Sequence, residues 1–179
     1  AEARRQVHEV LLPAMRKIPG LEDLRLSQTA PQIGVREGRR LEGRYRLELE
    51  DLLQARRFED AVTSIGFHVD LHELDPQDST PKLPAFPLGV TRHTISKCDV
   101  PYRCLVPRKL TNVLVAGRCV STDRYMQSSI RVMPGCFITG QAIGVAAAIC
   151  AQQGCDTRDV PAAELQRRLK DLGAYLPNG

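Results

Sequence analysis

Tryptophan is absent from this 179-residue chain, and only four Phe and four Tyr are present. So few aromatics leave no stacking platform for single-stranded nucleic acid. Charge of one sign is also scarce: the net charge of +4 attracts anionic ligands weakly and does not mark a DNA-binding protein. The six cysteines, at 98, 104, 119, 136, 150 and 155, include no Cys-x-x-Cys pair, and no histidine pair has finger-like spacing. A structural zinc site is therefore not expected. Without a Gly-x-Ser-x-Gly elbow or a P-loop, hydrolase and NTPase chemistry have no support. No signal-peptide pattern opens the sequence, and no run of about 18 apolar residues suggests a membrane span. The expectation is a reduced, cytoplasmic protein, with disulfides left open by the even cysteine count. The opening at Ala1, directly in helix-like sequence, reads as the start of a cut chain.

What is present is ordinary globular material, 42% apolar and 26% charged, enough for a sizeable core. Residues 2–17 place Val7, Val10, Leu11 and Met15 at helical spacing, with Pro13 expected to end or kink the helix. Residues 24–29 and 39–47 alternate as strands do, and Gly43 in the second hints at a bulge or a close backbone approach. Short helices are predicted over 49–57 and 58–64, and a brief strand over 65–69. The proline-rich stretch 75–87 reads as an extended loop on the substrate side, and one or two short strands follow within 94–106.

Residues 112–116, Asn-Val-Leu-Val-Ala, form a continuous apolar run closed by Gly117, which predicts a strand buried on both faces of a parallel sheet. After a connecting segment over 119–133, a long helix is predicted from Pro134 to Gln153, stopped by Gly154. A last helix starts at Pro161 and ends near Leu172. Within the long helix, Gly140, Gly144 and Ala148 share one face. Two readings fit so small a face: close packing of a core helix on a sheet, or a cradle for a flat cofactor. Cys119, Cys136 and Cys150, in the most apolar part of the chain, read as small buried hydrophobes.

The wording of 110–154, LTNVLVAGRCVSTDRYMQSSIRVMPGCFITGQAIGVAAAICAQQG, resembles the C-terminal signature of a family of FAD-dependent oxidoreductases. In that signature an NLLVAGRC strand precedes SIRVMPxCxxxGQAAG. PQIGVREGRRLEG (31–43) and VPYRCLVPRKL (100–110) resemble second-half motifs of the same family, so the likeness runs from about Arg25 to Leu172. It implies an α/β fold: a helical lead-in (1–20), a β-rich substrate-side module (21–105) and the last strand and helices of a Rossmann-like FAD-binding domain (106–179). It also implies that Gly117 and Arg118 lie near the ribityl and pyrophosphate, that Arg131, Val132 and Met133 approach the flavin ring, and that Gly140 and Gln141 sit in the helix behind it. Helix amides aimed at the pyrimidine edge suit a flavin, which gathers negative charge there on reduction. The family's G-x-G-x-x-G turn and the acidic residue that follows it are not found in the sequence. The chain is therefore expected to be the C-terminal portion of a longer enzyme, with the N-terminal half of the FAD domain supplied by the same or another chain. The alternative is a scaffold or interaction fragment that keeps the architecture without cofactor.

Arg36, Arg39, Arg40, Arg44 and Arg46 crowd one region in which Glu37, Glu42 and Glu48 are interleaved. A solvated charged face is one reading; the resemblance adds another, in which Arg36, Arg39 or Arg40 binds an anionic small-molecule substrate through bidentate contacts. The interleaved acids count against nucleic acid as partner. His93 is a candidate proton donor near the flavin, or a structural histidine. His68 and His72 stand four apart in strand- and loop-like sequence, where that spacing does not favour a metal. Cys98 and Cys104 have no flanking feature that lowers a thiol pKa.

Overall fold

The structure, a computed structural model, describes residues 2–70 and 97–176. The predicted loop 75–87, His72 and His93 lie outside the described residues. The chain divides into two compact units, residues 1–35 and 36–179.

In the first unit the chain is helical from α1 (Glu2–Gln6) through a π-helical turn (Val7–Leu11) to α2 (Leu12–Met15). Pro13 falls in the first turn of α2, where a missing N–H costs little, and the interruption expected of it appears as the widened turn just before. Arg4 donates to the carbonyls of Ala30 and Pro31 (3.3 and 3.5 Å), and Arg16 Nε donates to Leu24 O (2.8 Å). These side chains hold residues 24–31 against the helix with no ladder, so the strand predicted over 24–29 is not formed. Alternation marks a strand only when a partner strand is there to meet it.

The second unit contains α3 (Leu49–Leu53), β1 (Ala61–Ile65), β2 (Cys98–Pro101), α4 (Arg124–Ile130), α5 (Met133–Gln153) and α6 (Ala162–Asp171). The helix predicted over 58–64 is a strand instead. AVTSI of β1 pairs antiparallel with β2, Thr63 opposite Val100 and Ile65 opposite Cys98, with a bulge between Ala61 and Thr63. The β-branched Val62, Thr63 and Ile65 suit that pleat better than a helix. The strand predicted over 65–69 goes no further than Ile65. Of the predicted helix 49–57 only 49–53 forms; Ala55, at φ 49°, turns the chain out of it.

Residues 39–47 contribute two isolated bridges rather than a strand, Gly43 to Pro107 and Leu47 to Thr122. The close approach anticipated at Gly43 is real: a Cβ there would stand 2.6 Å from Ser121 Cβ. The apolar run 112–116 also forms no strand. Among the described residues it has no ladder partner, Val115 N donates to Leu105 O (2.9 Å), and Val113 is exposed. A central parallel strand needs a neighbour on each side. The observed class is mixed helix and strand, with one two-stranded sheet among the described residues.

The segment 119–133, expected only as a connection, holds α4. Asp123 builds it: one carboxylate oxygen accepts from Met126 N (2.7 Å), capping α4, and the other accepts from Leu49 N (2.9 Å) at the start of α3. One side chain therefore fixes the first turns of two helices 74 residues apart. α5 and α6 begin and end close to where proline and glycine place them, and Gly154 takes the left-handed conformation (φ 68°) that ends α5.

The core is built from Leu47, Leu52, Leu105, Met126, Ile130, Ile149, Leu165 and Leu169, all essentially inaccessible. α5 packs on α6 and β1 and buries Ala142, Ala146 and Ile149. Gln166 of α6 donates to the carbonyls of Glu59 and Ala61 (2.8 and 3.0 Å), tying that helix to the start of β1.

Candidate functional site

α4 and α5 meet at a sharp corner made by Arg131 and Val132. Arg131 closes α4 in helical geometry, while Val132 is extended (φ −64°, ψ 156°) and precedes the first turn of α5. The corner is tight because residue 135 has no side chain: a Cβ on Gly135 would stand 2.1 Å from Ile130 O. Pro134 sits in the first turn, and no side chain caps this helix end. Met133 is 72% exposed, so the amide end of α5 opens to solvent.

The Arg131 side chain, only 4% exposed, points the other way. Its Nη1 donates to Glu37 Oε1 (2.9 Å) and its Nη2 to the carbonyl oxygen of Asp70 (2.7 Å). The Asp70 carboxylate is 3.8 Å away, Arg36 pairs with that carboxylate at 2.9 Å, and Arg124 approaches Glu37 at 3.6 Å. The guanidinium is thus neutralised within the fold and fixes the corner from behind. Its Nε, Ser129 Oγ, Gln127 Oε1 and Thr122 Oγ1 are buried without a hydrogen-bond partner among the described residues.

Gly117 and Arg118 reach the same end of α5. Gly117 (φ 77°) donates its N–H to Thr139 Oγ1 (3.0 Å), and a Cβ at 117 would lie 3.7 Å from Cys136 Sγ. Gln127 Nε2 donates to Arg118 O (3.1 Å), joining α4 to the turn. Five of the residues singled out in the sequence, Gly117, Arg118, Arg131, Val132 and Met133, therefore gather around one corner. Gly140 and Gln141 lie about two turns further along α5. A Cβ on Gly140 or Gly144 would meet nothing within 4 Å among the described residues, so none of them packs on this face there. It borders an open depression of about 640 Å3 lined by Asn112, Leu114, Gly140, Ile143, Gly144 and Cys150, among others.

The arginine strip divides. Arg36 is held by Asp70, and Arg44 donates to Arg158 O (3.1 Å). Arg39 and Arg40 are exposed and form no hydrogen bond or ion pair among the described residues. Burial pushes the Cys98 thiol up to about 12 and raises that of Cys104 as well, so neither is a ready nucleophile. Cys119 is exposed and Cys136 and Cys150 are half-buried, against the fully buried positions expected of them. No group of three or more His, Cys, Asp or Glu is placed to hold a metal ion among the described residues. The carboxylate that secures Arg131 went unnoticed in the sequence. Glu37 lies 94 residues away, and only its place within IGVREGRR links it to the site.

The family model described as FAD dependent oxidoreductase matches residues 1–169. The chain belongs to the FAD-dependent oxidoreductase family. No curated protein and no solved structure matches it. FAD is the cofactor of this flavoprotein family, and the corner at α5 fits part of such a group. A helix end with no side-chain cap and an exposed first turn is suited to an electron-rich ring edge. The glycine face beside it leaves room that any Cβ would narrow.

Among the described residues, α5 of this FAD-dependent oxidoreductase is also the helix long and apolar enough to cross a membrane. The expected absence of such a run does not hold by length and composition alone. Gly135, Thr139, Ala142, Ala146 and Ile149 nevertheless face the protein core. Phe137, Gly144, Ala147, Ala148 and Ala151 face outward, so the helix is apolar on both sides and covered on one.

Proposed function

We propose that the chain is the C-terminal portion of a flavin-dependent oxidoreductase in which the amide end of α5 receives the flavin ring. The observation that carries this reading is α5 itself: apolar all round, packed on one face, with an open first turn and a glycine-lined outer face. A helix hydrophobic on every side belongs in an interior. The N-terminal half of a Rossmann-like FAD domain, from the same or another chain, would cover the outer face. It would also supply the strands that 112–116 lacks, making 106–179 the closing part of that domain and 21–105 the substrate-side module.

When bound, FAD supplies hydride or two-electron transfer. The chain's own contribution is positional and electrostatic. The α5 amides after Val132 present fixed partial positive charge at the exposed corner, with no reorganisation needed as negative charge arrives. Arg131, tied to Glu37 and Asp70, acts as a positioning residue that holds the corner at its angle. Gly117 and Arg118 bring the preceding turn alongside. On the substrate side, Arg39 and Arg40 keep their guanidinium groups available for an anionic small molecule, whereas Arg36 is already engaged by Asp70.

Met133→Glu tests the placement. Residue 133 is exposed, and an acidic side chain suits a helix N-terminus, so folding is expected to be unaffected. In the whole enzyme the variant is expected to hold less flavin per polypeptide, with the remaining flavin reduced at a more negative midpoint potential. Flavin content and potential equal to those of the parent would place the ring elsewhere.

A further inference from the structure

Cys150 and Cys155, at the far end of α5, take no part in the flavin corner. Their proximity follows from the way the helix ends. Gly154 is left-handed (φ 68°, ψ 24°) and its N–H donates to Cys150 O (2.8 Å). This kind of helix ending folds the residue after the glycine back onto the last turn, over the position that Cys150 occupies. The two thiols are close enough to perturb one another. Both are half-buried, and both line the open depression beside Gly144 and Ala147, so a small solute can reach them. Cys98 and Cys104, by contrast, are sealed in the core.

We propose that Cys150 and Cys155 form a dithiol–disulfide pair that exchanges with low-molecular-weight disulfides. Cys155 gives up its proton to solvent and attacks one sulfur of the incoming disulfide; that S–S bond breaks, one thiolate leaves, and a mixed disulfide forms on Cys155. Cys150 then gives up its proton to solvent and attacks the Cys155 sulfur, expelling the second thiolate and closing the Cys150–Cys155 bond. The protein thiols lose two electrons and two protons, and the external disulfide gains them as two thiols. The order follows from the surroundings of Cys150. Burial, and then the neighbouring Cys155, push its thiol up to about 11, which disfavours it as the first attacker. The product staples the end of α5 to the loop that leads to α6. The proposal does not depend on the flavin reading, and its failure would leave that reading intact.

The test uses the native protein, treated with oxidised glutathione, alkylated, digested and analysed by mass spectrometry. The expected product is a peptide pair linked through Cys150 and Cys155, lighter by two hydrogens and restored by a reducing dithiol. In Cys150→Ser, glutathione should remain on Cys155 as a stable mixed disulfide; in Cys155→Ser, position 150 should carry neither link nor adduct. Full alkylation of both thiols after oxidant, or a link from either to a different cysteine, would overturn the proposal.

Discussion

Gly135→Val is expected to produce the largest loss of stability of any single substitution on α5. A Cβ at this position meets Ile130 O at 2.1 Å, its carbonyl carbon at 2.9 Å and its Cα at 3.2 Å. All three are backbone atoms, so no flexible side chain can swing aside. α5 has to move away from α4, which uncovers Ile130 and Ala142 and lengthens the tie from Gly117 to Thr139. Overpacking of this kind costs about 3 kcal/mol, which lowers the thermal midpoint by roughly 6–12 °C in a chain of this size. Thermal unfolding followed by circular dichroism measures it. A midpoint within about 2 °C of the parent would show that the corner is not tight. Gly140→Ala makes the informative contrast. Among the described residues its Cβ touches nothing, and alanine favours a helix by about 1 kcal/mol over glycine. A cost at 140 would therefore report a surface that covers this face from outside.

Glu37→Gln is expected to be nearly as damaging, for a different reason. It leaves the Arg131 guanidinium buried at 4% exposure with its nearest carboxylate at 3.8 Å, on Asp70, and only a neutral acceptor at 37. Removing one partner of a buried ion pair typically costs 3–5 kcal/mol; because Glu37 is 29% exposed, about 2–3 kcal/mol is expected here. Urea unfolding of Glu37→Gln, Arg131→Met and the double variant closes a double-mutant cycle. The double variant should lose much less than the sum of the singles, because it removes both the charge and the need to neutralise it. Strict additivity would mean that the two side chains do not act as a pair, and that Arg131 does not owe its position to Glu37.

How much of this was legible in the sequence depended on whether the cause was local. Pro134, Gly154 and Pro161 set the limits of α5 and α6 by backbone chemistry confined to a few residues, and those limits were readable. The residues from Gly117 to Met133 gather at the α4–α5 corner because they are close in the chain. α4 was missed although Asp123 precedes Met126 and Ile130, a cap followed by apolar residues four apart. β1 was mistaken for a helix because strand formation there depends on β2, 33 residues further on between Ile65 and Cys98. The reverse error, a strand read into 112–116, has the same root: an apolar run becomes a strand only beside neighbours. The buried anchor of Arg131 was illegible because a carboxylate 94 residues distant supplies it.

Flavin at the α5 corner is the central proposal. The most direct measurement is the visible absorbance spectrum of the purified native protein, recorded together with its intact mass. The predicted result is a flavin spectrum at about one flavin per polypeptide, with an intact mass above that of residues 1–179 or a second chain bound. A folded protein of only these 179 residues that shows no flavin bands, even after FAD is added, would contradict the account and leave a scaffold that keeps the family's architecture without its cofactor.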